Sequence, residues 1–122
     1  MSEMFKYSSA FSQDIGNWDT SNVTDMSGMF YDSDFFNGDI GNWDTSSVIN
    51  MYKMFMAAES FNQDIGGWDT SNVTDMSYMF YVADIFNQDL SGWCVSNVYN
   101  WSGFDHGATD WTDPKPVWGT CP

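Results

Sequence analysis

The ten residues WDTSNVTDMS occupy Trp18–Ser27 and recur without a change at Trp68–Ser77. Working outward from this motif gives four consecutive copies of one repeat, at residues 11–35, 36–60, 61–85 and 86–110. Residues 1–10 match the end of a further copy, and residues 111–122 contain no repeat. A fixed period of 25 residues is typical of arrays in which each copy is one structural unit stacked on the next. We therefore divide the chain into a repeat region, 1–110, and a C-terminal capping segment, 111–122.

Large apolar residues recur at fixed offsets in these copies and predict the core. One copy holds about seven such groups at roughly 2 kcal/mol each, which is too little to order 25 residues at roughly 1.5 kcal/mol apiece. Single copies should therefore not fold, whereas stacked copies can. The predicted core columns are Phe11, Phe36, Phe61 and Phe86; Ile15, Ile40, Ile65 and Leu90; Trp18, Trp43, Trp68 and Trp93; Val23, Val48, Val73 and Val98; Met26, Met51, Met76 and Trp101; and Met29, Met54, Met79 and Phe104.

Within a copy, two local patterns predict secondary structure. Met76, Met79, Phe80 and Ala83 have the spacing of one helical face, and Asp75 or the residue before it suits an N-cap. The other half places a short extended stretch, Ile65–Trp68, among residues typical of turns. We expect an α/β solenoid with one short parallel strand and one short helix or 3₁₀ turn per repeat. It should be right-handed, because parallel crossovers nearly always are.

The sequence FNQDIGGWDTSNVTDMSYMF, at residues 61–80, resembles the repeat of BspA-like leucine-rich-repeat surface proteins. The resemblance extends from Met1 to about Asp110, and the later stretches GWCVSNV and KPVWGTC resemble the closing segment of many members. It implies a leucine-rich-repeat-type solenoid in a long secreted or surface-attached protein, built for adhesion or recognition. The family has no shared catalytic residues. This chain departs from the pattern in having few copies and no anchor.

The charge balance excludes several classes of partner. Seventeen acidic residues face three lysines, and the formal net charge is −14. Nucleic acids and anionic membranes are bound chiefly through Lys and Arg, so we expect neither. No apolar run approaches the roughly 18 residues that span a bilayer, so we expect no membrane insertion. Aromatic residues make up 19% of the chain, which is more apolar surface than disordered segments carry.

The two cysteines, Cys94 and Cys121, lie near the C terminus and suit a disulfide that closes the capping segment. Two free thiols would leave the same sequence. A disulfide favours an oxidising compartment, and we expect a secreted or cell-surface location within a longer protein. The first turn, residues 1–10, begins in mid-repeat and leaves an unpaired edge through which the chain could form homo-oligomers.

Candidate binding residues are those that change between copies. Exposed tyrosines beside a lysine would suit contact with a protein or a glycan, although scattered surface tyrosines are also common. The predicted binding residues are Tyr31, Tyr52, Lys53, Met56, Tyr78, Tyr81 and Tyr99.

The aspartates also stand in columns, and one column could bind calcium. Either each carboxylate accepts backbone N–H groups at a turn, or calcium bridges adjacent turns through oxygen ligands. Calcium is the only cofactor that the sequence suggests. The residues of this hypothesis are Asp14, Asp39, Asp64 and Asp89.

Catalysis has little support, because His106 is the only histidine and no Ser/His or Cys/His pair occurs. The leading hypothesis is a non-enzymatic adhesion or recognition module that binds protein or glycan partners over an extended face. One alternative is a calcium-dependent carbohydrate-binding module. Another is a structural spacer in a longer surface array.

Overall fold

The computed structural model describes all 122 residues and contains no helix and no extended strand. Its only β-pairing consists of three parallel bridges, which join Asp25 to Asn50, Asn50 to Asp75, and Asp75 to Asn100. The prediction of an α/β solenoid of leucine-rich-repeat type, with a strand and a helix or 3₁₀ turn per repeat, is therefore wrong. Each 25-residue repeat instead forms one layer of consecutive turns, and each layer is hydrogen-bonded to the next.

The predicted helix is replaced by what we call the turn segment of each layer, which in the third full layer is residues 76–82. Its amides donate alternately in two directions. Met79 N–H bonds to Met76 C=O within the layer at 3.2 Å, whereas Tyr78 and Phe80 donate to carbonyls of the following layer at 2.9 and 2.8 Å. Tyr78 and Val82 also have positive φ, at 56° and 49°. A right-handed helix needs negative φ and i→i−4 hydrogen bonds, so this segment cannot be one.

The corresponding turn segments of the other layers repeat this geometry. Positive φ recurs at the same two positions in every layer. The hydrogen bonds to the next layer recur as well, for example from Phe30 N–H to Met54 C=O and from Phe55 N–H to Met79 C=O, both at 2.9 Å. The turn segments are residues 1–7, 26–32, 51–57, 76–82 and 101–107.

The predicted strand at Ile65–Trp68 is also wrong. Trp68 N–H donates to Ile65 C=O at 3.1 Å, which closes a tight turn. Gly66 and Gly67 lie inside that turn. Glycine favours turns and weakens strands, so this stretch forms a turn and not an extended strand.

Two parallel stacks of phenylalanine rings run through all the layers. In one stack Phe55 lies 5.5 Å from the ring of Phe30 and 5.5 Å from that of Phe80. In the other stack Phe61 lies 5.9 Å from Phe86, and Phe55 and Phe61 join the two stacks at 4.1 Å. These rings are completely buried. Because each ring contacts its equivalents above and below, the stacking of layers forms the core.

Most of the predicted core columns are buried, which confirms those assignments. The exceptions lie near the ends of the stack, where a layer has a neighbour on one side only. Trp18 is 41% exposed and Trp101 is 42% exposed. Phe11 and Val23 are partly buried and pack against the core.

Polar groups inside the stack are satisfied by hydrogen bonds between layers. The hydroxyl of Thr45 donates to Asp69 C=O at 3.0 Å, and the hydroxyls of Thr20 and Thr70 do the same one layer before and after. No buried side-chain nitrogen or oxygen lacks a partner. The layers are therefore held by specific contacts as well as by apolar packing.

The last full layer is covered by the capping segment. Leu90 N–H donates to Pro114 C=O at 2.9 Å, and Val95 N–H donates to Thr120 C=O at 2.8 Å. Trp111 is buried, with its ring edge-on to Phe86 at 4.9 Å. The predicted Cys94–Cys121 disulfide is confirmed and fastens the end of this segment. No helix in the structure is long and apolar enough to span a membrane.

Candidate functional site

Tyrosine, lysine and histidine side chains from five layers meet along the turn segments. They form a chain of ring–ring and ring–ammonium contacts that passes from one layer to the next. We call this surface the tyrosine strip, and it consists of Lys6, Tyr7, Tyr31, Tyr52, Lys53, Tyr78, Tyr81 and His106.

The first part of the strip joins two tyrosines through a lysine. The rings of Tyr7 and Tyr31 lie 5.2 Å apart, and the Lys6 ammonium lies 5.1 and 5.3 Å from their centroids. Lys6 also donates a hydrogen bond of 2.8 Å to Glu3, which raises the pKa of Lys6 above its ordinary value. The neighbouring Tyr7 side chain raises the pKa of Tyr31, so the Tyr31 phenol stays protonated at neutral pH.

Lys53 occupies the centre of the strip. Its ammonium lies 5.8 Å from the centroid of Tyr31 and 4.9 Å from that of Tyr52, within reach of cation–π attraction. The Tyr52 side chain raises the pKa of Lys53, and partial burial opposes this shift. The residue is therefore charged at neutral pH. It has no carboxylate within salt-bridge distance, because the two salt bridges of the chain involve Lys6 and Lys115.

The last part of the strip is purely aromatic. Tyr52 meets Tyr78 edge-on at 6.3 Å, Tyr78 meets Tyr81 at 5.7 Å, and Tyr81 stacks on His106 at 5.3 Å. Tyr78 needs a glycine in the next layer, since a Cβ on Gly103 would lie 2.7 Å from its ring. The backbone of Gly103 also has a φ of 63°, which glycine adopts without strain.

Five of the seven predicted binding residues lie in the strip. The two others do not extend its chain of contacts. Met56 belongs by register between Tyr31 and Tyr81, and its main chain accepts a hydrogen bond from Asp32 N–H at 2.9 Å. Tyr99 lies next to the column of parallel bridges, is 76% exposed and pairs with no other aromatic ring.

Sequence reasoning missed three members of the strip: Lys6, Tyr7 and His106. The signal was present in the repeat register. Lys6 stands 25 residues before Tyr31, and His106 stands 25 residues after Tyr81. Both therefore belong to the same column as those predicted residues. Extending that column into the partial first layer and the atypical last layer would have found both.

The aspartates of the proposed calcium column accept hydrogen bonds within their own turns. Asp14, Asp39 and Asp64 each accept the N–H of the glycine two residues later, at 3.0, 3.1 and 2.9 Å, and Asp89 accepts the N–H of Ser91 at 2.9 Å. No group of three or more Asp, Glu, His or Cys side chains is placed to hold a metal ion. The turn role of these residues is thus observed, and the calcium alternative has no ligand cluster to support it.

Serine hydroxyls hold Asp89 and also the aspartates of a second column. The Ser46 hydroxyl and the Ser46 amide N–H both donate hydrogen bonds to Asp44. These bonds lower the pKa of Asp44 from its ordinary value of 3.8, and the hydroxyl has the larger effect. The same arrangement lowers the pKa values of Asp19, Asp69 and Asp89.

The family described as "Mycoplasma protein of unknown function, DUF285" matches residues 1–118. The chain belongs to this family. The DUF285 match includes every layer, every residue of the tyrosine strip and most of the capping segment. No curated protein and no solved structure matches the chain significantly.

In this DUF285 chain the strip can form three kinds of contact. Its phenol rings offer flat apolar faces, and their hydroxyls donate and accept hydrogen bonds. The Lys53 ammonium offers a positive charge. The strip is an open surface, and no pocket occurs in the structure.

Proposed function

We propose that the chain is a non-enzymatic recognition module that binds a protein or glycan partner through the tyrosine strip. The observation that carries this proposal is a difference between two kinds of position in each repeat. Most apolar positions that recur are buried in the phenylalanine, tryptophan and methionine columns, whereas positions that change supply the strip. Changing positions have no common role in the stack, so a partner can account for their identity.

The composition of the strip supports contact with a macromolecule. Tyrosine supplies a large, rigid and amphipathic contact area and loses little side-chain entropy on binding. Neighbouring parallel chains lie about 4.8 Å apart, so a strip across five layers is about 19 Å long. An extended partner could therefore contact several layers at once and gain affinity from each.

An extracellular or cell-surface location fits this role. The Cys94–Cys121 disulfide persists in oxidising compartments and is rare in the reducing cytosol. The resemblance of the repeat motif to BspA-like surface proteins also supports adhesion or recognition. Both observations favour a chain that meets its partner outside the cell.

The test is binding to an array of immobilised glycans and extracellular matrix proteins. The double variant Tyr31→Ala/Tyr81→Ala removes two strip rings from different layers, and we expect it to lose at least about tenfold in affinity for any partner found. Tyr99→Ala is the matched control, because it removes an exposed tyrosine outside the strip. Equal losses in both variants, or no loss in the double variant, would contradict the proposal.

The same array should be run in calcium and in chelator. Binding that persists in chelator agrees with recognition by the strip alone. Binding that disappears would favour the calcium-dependent carbohydrate-binding alternative. Silence of the whole array in both conditions would favour a structural spacer.

A further inference from the structure

We infer that Lys53 is the anion-binding point of the tyrosine strip and that the strip's partner is an oligosaccharide bearing carboxylate groups. This inference rests on the proposed function, because it names the partner of the same surface. It follows from the charge, the surroundings and the backbone conformation of Lys53.

Lys53 is the only lysine without a salt bridge. Lys6 is paired with Glu3 at 2.8 Å, and Lys115 is paired with Asp105 at 2.7 Å. With seventeen acidic residues and three lysines in the chain, a lysine that faces no carboxylate is the exception. Its charge remains available to a partner.

The surroundings of Lys53 hold the ammonium at the strip instead of leaving it free in solvent. The residue is partly buried, and the rings of Tyr31 and Tyr52 flank its ammonium at 5.8 and 4.9 Å. A charge held by aromatic faces has already lost part of its hydration and side-chain freedom. It can therefore form a charge-assisted hydrogen bond with a partner's carboxylate at a smaller further loss.

The backbone also makes Lys53 an unfavourable choice for structure alone. Its φ is 55°, a left-handed conformation that residues other than glycine adopt with strain. In the same column Gly28 and Gly103 are glycines, whereas Glu3 and Tyr78 share the positive φ of Lys53. The residues of this column that are not glycine either belong to the strip, as Lys53 and Tyr78 do, or bond to it, as Glu3 does through Lys6, which points to a function for their side chains.

The net charge limits how acidic the partner can be. At −14 the chain repels polyanions such as sulfated polysaccharides and strongly acidic peptides. Isolated carboxylates spaced along a neutral chain are screened over about 8 Å at physiological salt, so they reach one ammonium without this penalty. Between such charges the pyranose rings offer apolar C–H faces and hydroxyls, which match the faces and hydroxyls of the tyrosines. These properties together favour a sparsely carboxylated oligosaccharide.

The experiment compares matched acidic and neutral probes by titration calorimetry at physiological salt. Hyaluronan tetrasaccharide, which carries glucuronate, is compared with chitotetraose, which has none, and sialyllactose is compared with lactose. We expect at least one acidic probe to bind about five- to tenfold more tightly than its neutral partner. Lys53→Gln should abolish that preference, so that the acidic and neutral probes of a pair bind with equal affinity. Lys115→Gln, which alters a salt-bridged lysine outside the strip, should leave the preference intact.

Four outcomes would overturn the inference. They are equal affinity for the acidic and neutral probes, an acidic preference that survives Lys53→Gln, tighter binding of a heparin tetrasaccharide than of either carboxylated probe, and binding of a polyglutamate peptide with no saccharide binding. If none of the saccharide probes binds, but the Tyr31→Ala/Tyr81→Ala variant still weakens binding to an array partner, this inference is wrong and the proposed function stands. If the array is also silent, the proposed function falls with it.

Discussion

The indole Nε1–H of Trp68 donates a hydrogen bond of 3.0 Å to the carbonyl oxygen of Ile40 in the preceding layer. The same carbonyl accepts the amide N–H of Trp43 at 3.1 Å. Trp68 is 4% exposed, so this bond lies inside the stack. The tryptophan column therefore joins layers by hydrogen bonding as well as by packing.

Replacing Trp68 should separate these two contributions. Trp68→Phe keeps an aromatic ring and removes the donor, and we expect a loss of about 1 kcal/mol in the free energy of unfolding. Trp68→Ala also leaves a cavity and should cost about 3–5 kcal/mol. Trp18→Phe is the control, because Trp18 is 41% exposed and its indole N–H donates no such bond. Urea unfolding measures all three variants, and an equal effect of Trp18→Phe and Trp68→Phe would argue against the hydrogen bond.

Gly66 and Gly67 are adjacent in sequence but differ in their surroundings. A Cβ at Gly66 would lie 2.8 Å from the carbonyl oxygen of Asp89 in the next layer, whereas a Cβ at Gly67 would meet nothing within 4 Å. We expect Gly66→Ala to destabilise the fold by about 1–3 kcal/mol, since the clash involves backbone. Gly67→Ala should be neutral or slightly stabilising. Thermal unfolding of the two variants side by side checks the close approach of the layers.

Reduction of the disulfide should weaken the capping segment. The Cys94–Cys121 bond has a sequence separation of 27 and constrains the unfolded chain by about 3.5 kcal/mol in the loop-entropy treatment. The chain has no free cysteine, so a reductant acts on this bond alone. We expect a lower Tm for the reduced protein and for the Cys94→Ser/Cys121→Ser variant. An unchanged Tm in both would show that the cap is held by Trp111 and its neighbours without the bond.

The serine–aspartate pairs should make stability depend on pH. Because the folded pKa of Asp44 lies below 3.8, its bond with Ser46 contributes stability above that pH. The contribution disappears as the pH falls through the lowered folded pKa. Ser46→Ala should therefore lower Tm at pH 6 and have a smaller effect near pH 2.5. Ser12→Ala, which removes an exposed serine without a side-chain hydrogen bond, should show no such trend, and a pH-independent effect of Ser46→Ala would contradict the assignment.

The repeat period and the core were predictable because each depends on residues that recur. Phe61 is buried between Phe36 and Phe86 for the reason that the sequence suggests, namely that equivalent residues stack when layers are in register. Proximity in sequence also indicated the pairing of Cys94 with Cys121. These inferences needed no knowledge of the backbone path within a layer.

The backbone path was mispredicted because one apolar spacing suits two conformations. Met76, Met79 and Phe80 face the core both in a helix and in a series of turns. Positive φ at Tyr78 and Val82 distinguishes the two, yet neither residue type favours that conformation. Gly28 and Gly103, in the same column as Tyr78, were the available clue. For the strip, the partial first layer and the atypical last layer concealed Lys6 and His106.

The hydrogen bonds between turn segments have a further consequence for the stack as a whole. In the first four turn segments every second amide donates to the layer that follows, as Phe30 does to Met54 and Phe55 to Met79. Their dipoles therefore add along the axis, with negative partial charge at the N-terminal face and positive partial charge at the C-terminal face. The stack therefore has a direction, and its two end faces differ in the groups that they present. Another layer could continue this hydrogen bonding only in a head-to-tail orientation.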